Sequence, residues 1–221
     1  MKAPGDLKSK ILARMTRQAP FGVWTATDFL SLGSRNAVDL ALSRMCAAGT
    51  IRRITRGLYD LPQQNRLTGK PTNSDPRQVI DALARRDPAR MLIDGLTAAN
   101  DLGFTTAVPA RIIVHTDARL RPIRLGNQTI TFKLTTPAKL YWAGRPAMRV
   151  VQALYWLRDT LDRDRDQILK RLAAILDDSE QGAAIVADLR KGVRTLPDWM
   201  QTLLTPLLAR RPRRLSKPRA A

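Results

Sequence analysis

Several residue types that build common functional sites are scarce in this chain of 221 residues. Cys46 is the only cysteine, so an intrachain disulfide and a four-cysteine zinc site are both excluded. His115 is the only histidine, which argues against the familiar zinc sites that combine cysteine and histidine. Aromatic residues make up 5% of the chain, which leaves little surface on which single-stranded nucleic acid could stack.

Long apolar segments are missing too. No run approaches the roughly 20 apolar residues that a membrane-spanning helix needs. The N-terminal sequence MKAPGDLKSKILARMTRQAP has no apolar stretch followed by a small-residue cleavage site. We therefore expect a cytoplasmic protein with no membrane partner.

Positive charge, in contrast, is abundant. The chain has 38 Lys and Arg residues against 19 Asp and Glu, which gives a net charge of +19. Clustered Arg and Lys bind polyanions, because neutralised phosphates release their counterions. The charge therefore indicates a nucleic-acid partner, although a generally basic surface without such a partner would have the same total. It does not by itself locate a site.

Residues 1–62 have the sequence signals of a winged helix-turn-helix. Helices are predicted over 7–18 and 35–48, separated by a short helix and a glycine turn. Two β-prone runs follow, and Gly57 between them permits a tight hairpin turn. This order of two helices, a longer helix and a basic hairpin is typical of a duplex-DNA reader.

Ten residues of this segment are candidates for DNA contact. Arg35 and Asn36 begin the third helix and are predicted to read bases, since Arg pairs with guanine and Asn with adenine. Ser43 and Arg44 extend the same surface. The predicted phosphate contacts are helix-start hydroxyls and hairpin arginines: Thr25, Thr27, Ser34, Arg52, Arg53 and Arg56. A hairpin that only faces solvent would carry the same arginines.

The rest of the chain is predicted to form a second domain. A polar linker over 63–74 leads to a mixed domain at 75–210, with strands near 111–116 and 129–134 and a helical C-terminal half. The fold class is therefore α+β. The basic tail 211–221 is predicted to be disordered.

A second basic patch is predicted on and around the sheet of this domain. Its members would extend a DNA footprint or hold an acidic or RNA-bound partner, and a solvated sheet face would explain them equally well. They are Arg111, Arg119, Arg121, Arg124 and Lys133.

No catalytic, metal or cofactor site is predicted. Asp162, Asp164 and Asp166 have the spacing that opens a calcium loop, but Gln167 and Ala173 stand where that loop needs glycine and glutamate. No nucleophile motif accompanies the lone histidine, and no glycine-rich phosphate loop is present. The sequence therefore predicts that the protein is not an enzyme.

Two longer phrases of the sequence have a family resemblance. The phrases are GSRNAVDLALSRMCAAGTIRRITRGLYDLP at 33–62 and LTAANDLGFTTAVPARIIVHTD at 96–117. Together they resemble AbiEi-like antitoxins, the antitoxins of abortive-infection toxin–antitoxin systems used in phage defence. The resemblance covers about residues 5–135.

The resemblance implies a function for each domain. The winged helix would bind operator DNA at inverted repeats upstream of its own operon and act as a repressor. The second domain would counter a co-encoded nucleotidyltransferase-type toxin, with or without direct contact. Two alternatives stay open: a stand-alone transcriptional regulator whose second domain senses a ligand or partner, and an RNA-binding or nuclease-like protein.

Overall fold

The chain folds as an α+β protein, as the sequence predicts. The structure is a computed structural model and describes residues 6–17, 22–65 and 67–209. By its internal contacts the chain divides into two compact units. The first unit comprises Met1–Arg90 and Ala118–Phe132, and the second comprises Met91–Asp117 and Lys133–Ala221.

Helices and strands alternate in the first two thirds of the chain, and helices alone follow. The elements of the described residues are, in chain order, α1 (Leu7–Arg17), β1 (Val23–Trp24), a 3₁₀ helix (Ala26–Phe29), α2 (Arg35–Ala47), β2 (Arg52–Thr55), β3 (Leu58–Asp60), α3 (Pro76–Arg86), β4 (Met91–Ile93), α4 (Gly95–Asp101), β5 (Arg111–Thr116), β6 (Ile123–Leu125), β7 (Gln128–Leu134), a 3₁₀ helix (Pro137–Leu140), α5 (Met148–Leu157), a 3₁₀ helix (Arg158–Thr160), α6 (Arg165–Leu176), α7 (Gly182–Gly192), a 3₁₀ helix (Val193–Thr195) and α8 (Asp198–Ala209).

The first unit is built around one apolar core. Side chains from α1, the first 3₁₀ helix and α2 meet in it, and Ile11, Phe29 and Leu42 are fully buried. Complete burial of a side chain of this size contributes about 1.5–3 kcal/mol. The antiparallel sheet β1-β3-β2 closes this core, with Trp24 opposite Tyr59 in the register. Trp24 therefore packs against the hairpin.

Local signals in the sequence set the ends of these helices. The Ser34 side chain accepts a hydrogen bond from the N–H of Ala37 and so caps α2 as predicted. The short 3₁₀ helix is capped by Thr25. The reason is Asp28, whose carboxylate accepts hydrogen bonds from the backbone N–H of Thr25 at 2.7 Å and from its hydroxyl at 3.1 Å.

The segment predicted as a linker turns back onto the first unit. Gln64 forms a β-bridge with Pro71, and the Ser74 hydroxyl donates to the carboxylate of Asp60 at 2.6 Å. Further along, Arg85 on α3 donates to the carbonyl of Val23 at 2.9 Å. The division between the two compact units therefore differs from the predicted division along the chain, because α3 packs with the N-terminal segment.

The hairpin β6–β7 also belongs to the first unit, apart from the last two residues of β7. Its strands are antiparallel, with Ile123 opposite Ile130, and its turn contains Gly126 at φ +62°. A side chain at Gly126 would collide with Asn73, so glycine is required there for space as well as for conformation. β6 lies beside β2, which brings this hairpin next to the hairpin β2–β3.

The second unit combines an antiparallel strand pair with a helical half. β4 pairs with β5, with Leu92 opposite His115. Asp94 connects this pair to α4, because its carboxylate accepts hydrogen bonds from the backbone N–H groups of Thr97 at 3.0 Å and Ile113 at 2.8 Å. α4 then packs extensively against α5.

A partly buried ion pair links α7 of the second unit to the segment just before α5. The side chain of Asp188 is 8% exposed and accepts hydrogen bonds from the Arg145 guanidinium and, at 3.1 Å, from the N–H of Ala147. The guanidinium also lies over the ring of Tyr141, 4.4 Å from its centre. This pairing raises the pKa of Arg145, chiefly through its hydrogen bond to Asp188.

Two expectations concern the ends of the chain and the membrane. Within 6–17, 22–65 and 67–209, no helix has both the length and the apolar character needed to cross a bilayer. The tail 211–221 lies outside the described residues, so its predicted disorder stays a prediction.

Candidate nucleic-acid interface

One face of α2 is exposed along the whole helix. Val38, Leu42 and Met45 are buried on the opposite face. The exposed column follows helical spacing and consists of Asn36, Leu40, Ser43 and Ala47. Leu40 keeps 52% of its surface exposed and so adds an apolar group to this column. The predicted contacts Asn36 and Ser43 therefore share one accessible strip.

Two arginines flank this strip. Arg44 is exposed on one side. On the other side, Arg35 is 61% exposed and its Nε donates to the carboxylate of Asp39 at 2.8 Å, one helical turn away. An exposed pair of this kind contributes about 0.3–0.5 kcal/mol. It is weak enough for a stronger anionic partner to displace Asp39 from the guanidinium.

The predicted phosphate contacts at helix starts differ in accessibility. Ser34 and Thr27 are exposed, whereas Thr25 is only 2% exposed and its hydroxyl is held by Asp28. The burial of Thr25 argues against the predicted phosphate contact and makes it a structural cap. Sequence alone did not distinguish the two threonines, because both stand near the start of the same short helix.

The three arginines of the hairpin β2–β3 differ in exposure and in their hydrogen-bond partners. Arg53 and Arg56 are exposed, and Gly57 at φ +76° makes the turn between the strands. Arg52 instead donates from Nε to the carboxylate of Asp60 at 3.0 Å and from its Nη2 to the same carboxylate and to Ser74. Because Asp60 is buried, Arg52 has a structural role that competes with the predicted phosphate contact.

The tip of this hairpin is held from α3. Arg86 donates to the carbonyl of Arg56 and also pairs with Asp87. A carbonyl held in this way fixes the backbone of Arg56 while leaving its guanidinium exposed. Sequence reasoning missed Arg86, since nothing in the sequence indicates that the last turn of α3 lies at the hairpin tip.

Five arginines meet around one open cleft of about 400 Å³ in the first unit. We call it the arginine cleft, and its arginines are Arg35, Arg56, Arg86, Arg119 and Arg121. Arg119 and Arg121 belong to the second predicted basic patch, which would extend a DNA footprint or hold an acidic or RNA-bound partner. The structure brings them together with two predicted DNA contacts.

The rest of the predicted partner patch does not gather in one unit. Arg124 is exposed on β6 of the first unit, but it does not line the arginine cleft. Arg111 and Lys133 are exposed residues of the second unit. The predicted patch is therefore divided between the two units.

Burial changes the acidity of two groups behind this surface. Burial raises the pKa of the Cys46 thiol above its ordinary value of 9.0 and that of the Tyr59 phenol above 10.0. The charge of Arg53 opposes both shifts but is the smaller effect. Cys46 therefore stays a neutral thiol at pH 7 and lacks the thiolate of a reactive cysteine.

These shifts predict a loss of stability in alkaline solution. A pKa raised by folding contributes stability that is complete below the unfolded pKa and is lost as pH rises through the folded pKa. We expect the free energy of unfolding to fall above about pH 9. A variant carrying Cys46→Ala and Tyr59→Phe should lose part of this decline in urea melts from pH 7 to 11, with its own pH 7 value as the reference. If the free energy of unfolding of the variant falls as steeply with pH as that of the wild type, the decline does not come from Cys46 and Tyr59.

Metal chemistry has no evident centre in this region. Among the described residues, no three His, Cys, Asp or Glu side chains are grouped so that they could hold a metal ion. The geometry offers exposed guanidinium, amide and hydroxyl donors, and such a donor set binds phosphates and base edges.

Comparisons with known proteins give a family but no activity. The model of a family of unknown function, DUF6088, matches residues 10–182. No curated protein matches the sequence. The chain is similar to a solved structure, the RV2827C protein from Mycobacterium tuberculosis, at 20% identity and a TM-score of 0.39, over 93% of this chain and 72% of that chain.

Proposed function

Since this chain belongs to the DUF6088 family of unknown function, we propose from its own geometry that it is a DNA-binding repressor. Residues 7–62 act as a winged helix-turn-helix, with α2 as the recognition helix and the hairpin β2–β3 as the wing. The observation that carries the proposal is the exposed column of α2, which has an amide, a hydroxyl and two apolar side chains, beside the exposed arginines of the wing. A major groove accepts a helix with such a face.

The order and packing of the elements support this reading. α2 packs on α1 and on the short 3₁₀ helix, and the hairpin β2–β3 follows directly and pairs with β1. This is the arrangement in which a recognition helix and wing approach adjacent parts of a duplex. Arg35 and Asn36 then read bases, while Ser34, Thr27, Arg53 and Arg56 contact phosphates.

We further propose an antitoxin role on the basis of the sequence resemblance. The protein represses its own operon and counters a co-encoded nucleotidyltransferase-type toxin in the cytoplasm. The described residues of its second unit supply packing and ion pairs, such as Arg145 with Asp188, and we propose no catalysis for them. Co-expression with the neighbouring gene tests this role, scored for growth rescue and for co-purification. Failure of rescue would leave a regulator without an antitoxin role.

The DNA-binding proposal is tested by comparing nucleic acids at fixed salt. The full chain should bind a duplex containing its upstream inverted repeats more tightly than a scrambled duplex, and both more tightly than RNA of the same sequence. Equal or tighter binding of RNA would favour the RNA-binding alternative and would overturn the repressor assignment. Salt concentration must be matched, because phosphate contacts make affinity strongly salt-dependent.

Arg56 should act on the DNA backbone and not on sequence. Arg56→Ala is expected to weaken binding to operator and random duplexes by the same factor and to reduce the salt slope by about 1, because one phosphate contact is lost. Fluorescence anisotropy over a salt series measures both quantities. Lys70→Ala removes an equal charge from an exposed loop of the same unit and is the matched control. An unchanged slope would exclude Arg56 from the interface.

A further inference from the structure

The arginine cleft concentrates positive charge around an apolar floor. Leu83 and Ile123 at its base are 1% and 6% exposed, and Phe132 and Leu120 complete the apolar lining. Arg35 and Arg86 have carboxylate partners in Asp39 and Asp87. Arg56, Arg119 and Arg121 make no ion pair within the described part of the chain.

This composition is well suited to one class of ligand. Arg56, Arg119 and Arg121 are cations around one cleft without a carboxylate partner among the described residues, and an anion placed among them would be attracted by all three. Their planar donor forks match phosphate oxygens in pairs. An apolar floor adds affinity for a ring or hydrocarbon attached to the phosphate. The cleft volume of about 400 Å³ lies within the range of small-ligand sites.

We propose that the arginine cleft binds a small organic phosphate, such as a nucleoside monophosphate. The phosphate lies between Arg56, Arg119 and Arg121, and the base packs on Leu120 and Phe132. Because Arg56 is also a proposed DNA contact, a phosphate bound in the cleft draws its guanidinium away from the duplex, and the ligand lies beside Arg35, which lines the same cleft. The ligand would therefore weaken DNA binding, and this regulatory part rests on the proposed repressor function.

Calorimetry on the full chain tests the ligand site independently of DNA. Each of the four ribonucleoside monophosphates is titrated at constant ionic strength, with adenosine and inorganic phosphate as separate titrants. At least one nucleotide should bind with saturation and at least tenfold more tightly than either titrant. The site would be overturned if no nucleotide saturates, or if inorganic phosphate binds as tightly as the best nucleotide.

Substitutions inside and outside the arginine cleft then test whether the nucleotide binds there. Arg119→Ala with Arg121→Ala should weaken nucleotide binding at least tenfold. Arg124→Ala with Lys70→Ala removes the same number of charges from exposed positions outside the cleft and should not weaken it. Leu120→Asp is a second variant that keeps every arginine and puts a repelling carboxylate at the floor, and it should also lose binding. Unchanged affinity in both cleft variants would overturn the assignment.

A separate measurement of duplex binding distinguishes failure of the ligand site from failure of the proposed repressor function. Saturating nucleotide should raise the apparent Kd of the wild-type chain for operator duplex, and Arg119→Ala with Arg121→Ala should remove that effect. Nucleotide binding with an unchanged Kd would refute the regulatory part alone. If no duplex binds at all, the repressor function fails, while the calorimetry still decides the ligand site.

Discussion

Asp188→Ala should lower the free energy of unfolding by about 3 kcal/mol, the lower end of the cost of breaking a buried ion pair, because the Arg145 guanidinium keeps partial contact with water. The carboxylate is the partner of two groups at once. Its loss leaves the Arg145 guanidinium without its counter-charge and the buried N–H of Ala147 without an acceptor. An unpaired buried donor alone costs about 1–3 kcal/mol.

Urea denaturation followed by circular dichroism measures this effect. Asp162→Ala, at an exposed aspartate, is the matched control and should change stability by less than about 0.5 kcal/mol. A double-mutant cycle with Arg145→Ala gives a second check, since the double variant should lose less than the sum of the two single variants. Additive losses would mean that the two side chains do not interact energetically.

Arg35→Ala and Asn36→Ala should each reduce discrimination between operator and random duplex by about 1–3 kcal/mol, or roughly 5- to 150-fold. Both residues lie in the first turn of α2, which is the part of a recognition helix that reaches the bases first. Neither side chain is needed for the core, because both are exposed. The expected loss therefore concerns recognition and not folding.

Competition binding with the two duplexes measures the discrimination ratio directly. Lys10→Ala removes a positive charge from the exposed side of α1 and should leave the ratio unchanged. Thermal unfolding of each variant verifies that α2 is intact. Full discrimination in either α2 variant would remove that residue from the base contacts.

Local chemistry explains what could be predicted from the sequence. Ser34 as a cap, the Asp75–Pro76 helix start and the glycine turn of the hairpin are set by neighbouring residues, and each appears in the structure. The pairing of Arg52 with Asp60 could also be predicted from a hairpin register, because these residues face each other across the hairpin. Its consequence for the candidate site, a structural role of Arg52 that competes with the predicted phosphate contact, follows from that register.

Long-range packing explains what could not be predicted. The arginine cleft joins residues from α2, the hairpin tip, α3 and the segment before β6, and no periodicity or motif connects these places. The sequence did not predict that Thr25 is buried and Thr27 exposed, because the burial of Thr25 depends on the sheet and on Asp28. The same reason applies to α3, which the sequence places after the linker 63–74. Its contacts with the N-terminal segment, such as Arg85 with Val23, join residues far apart in the chain.

The first unit is discontinuous in sequence, and this affects how the protein is made. Residues 118–132 complete that unit but leave the ribosome only after residues 91–117, which belong to the second unit. Domains generally fold as units during synthesis, starting from the N-terminus. Here neither unit can finish folding before the other has begun to be synthesised, so slow translation near residue 90 would expose an incomplete first unit.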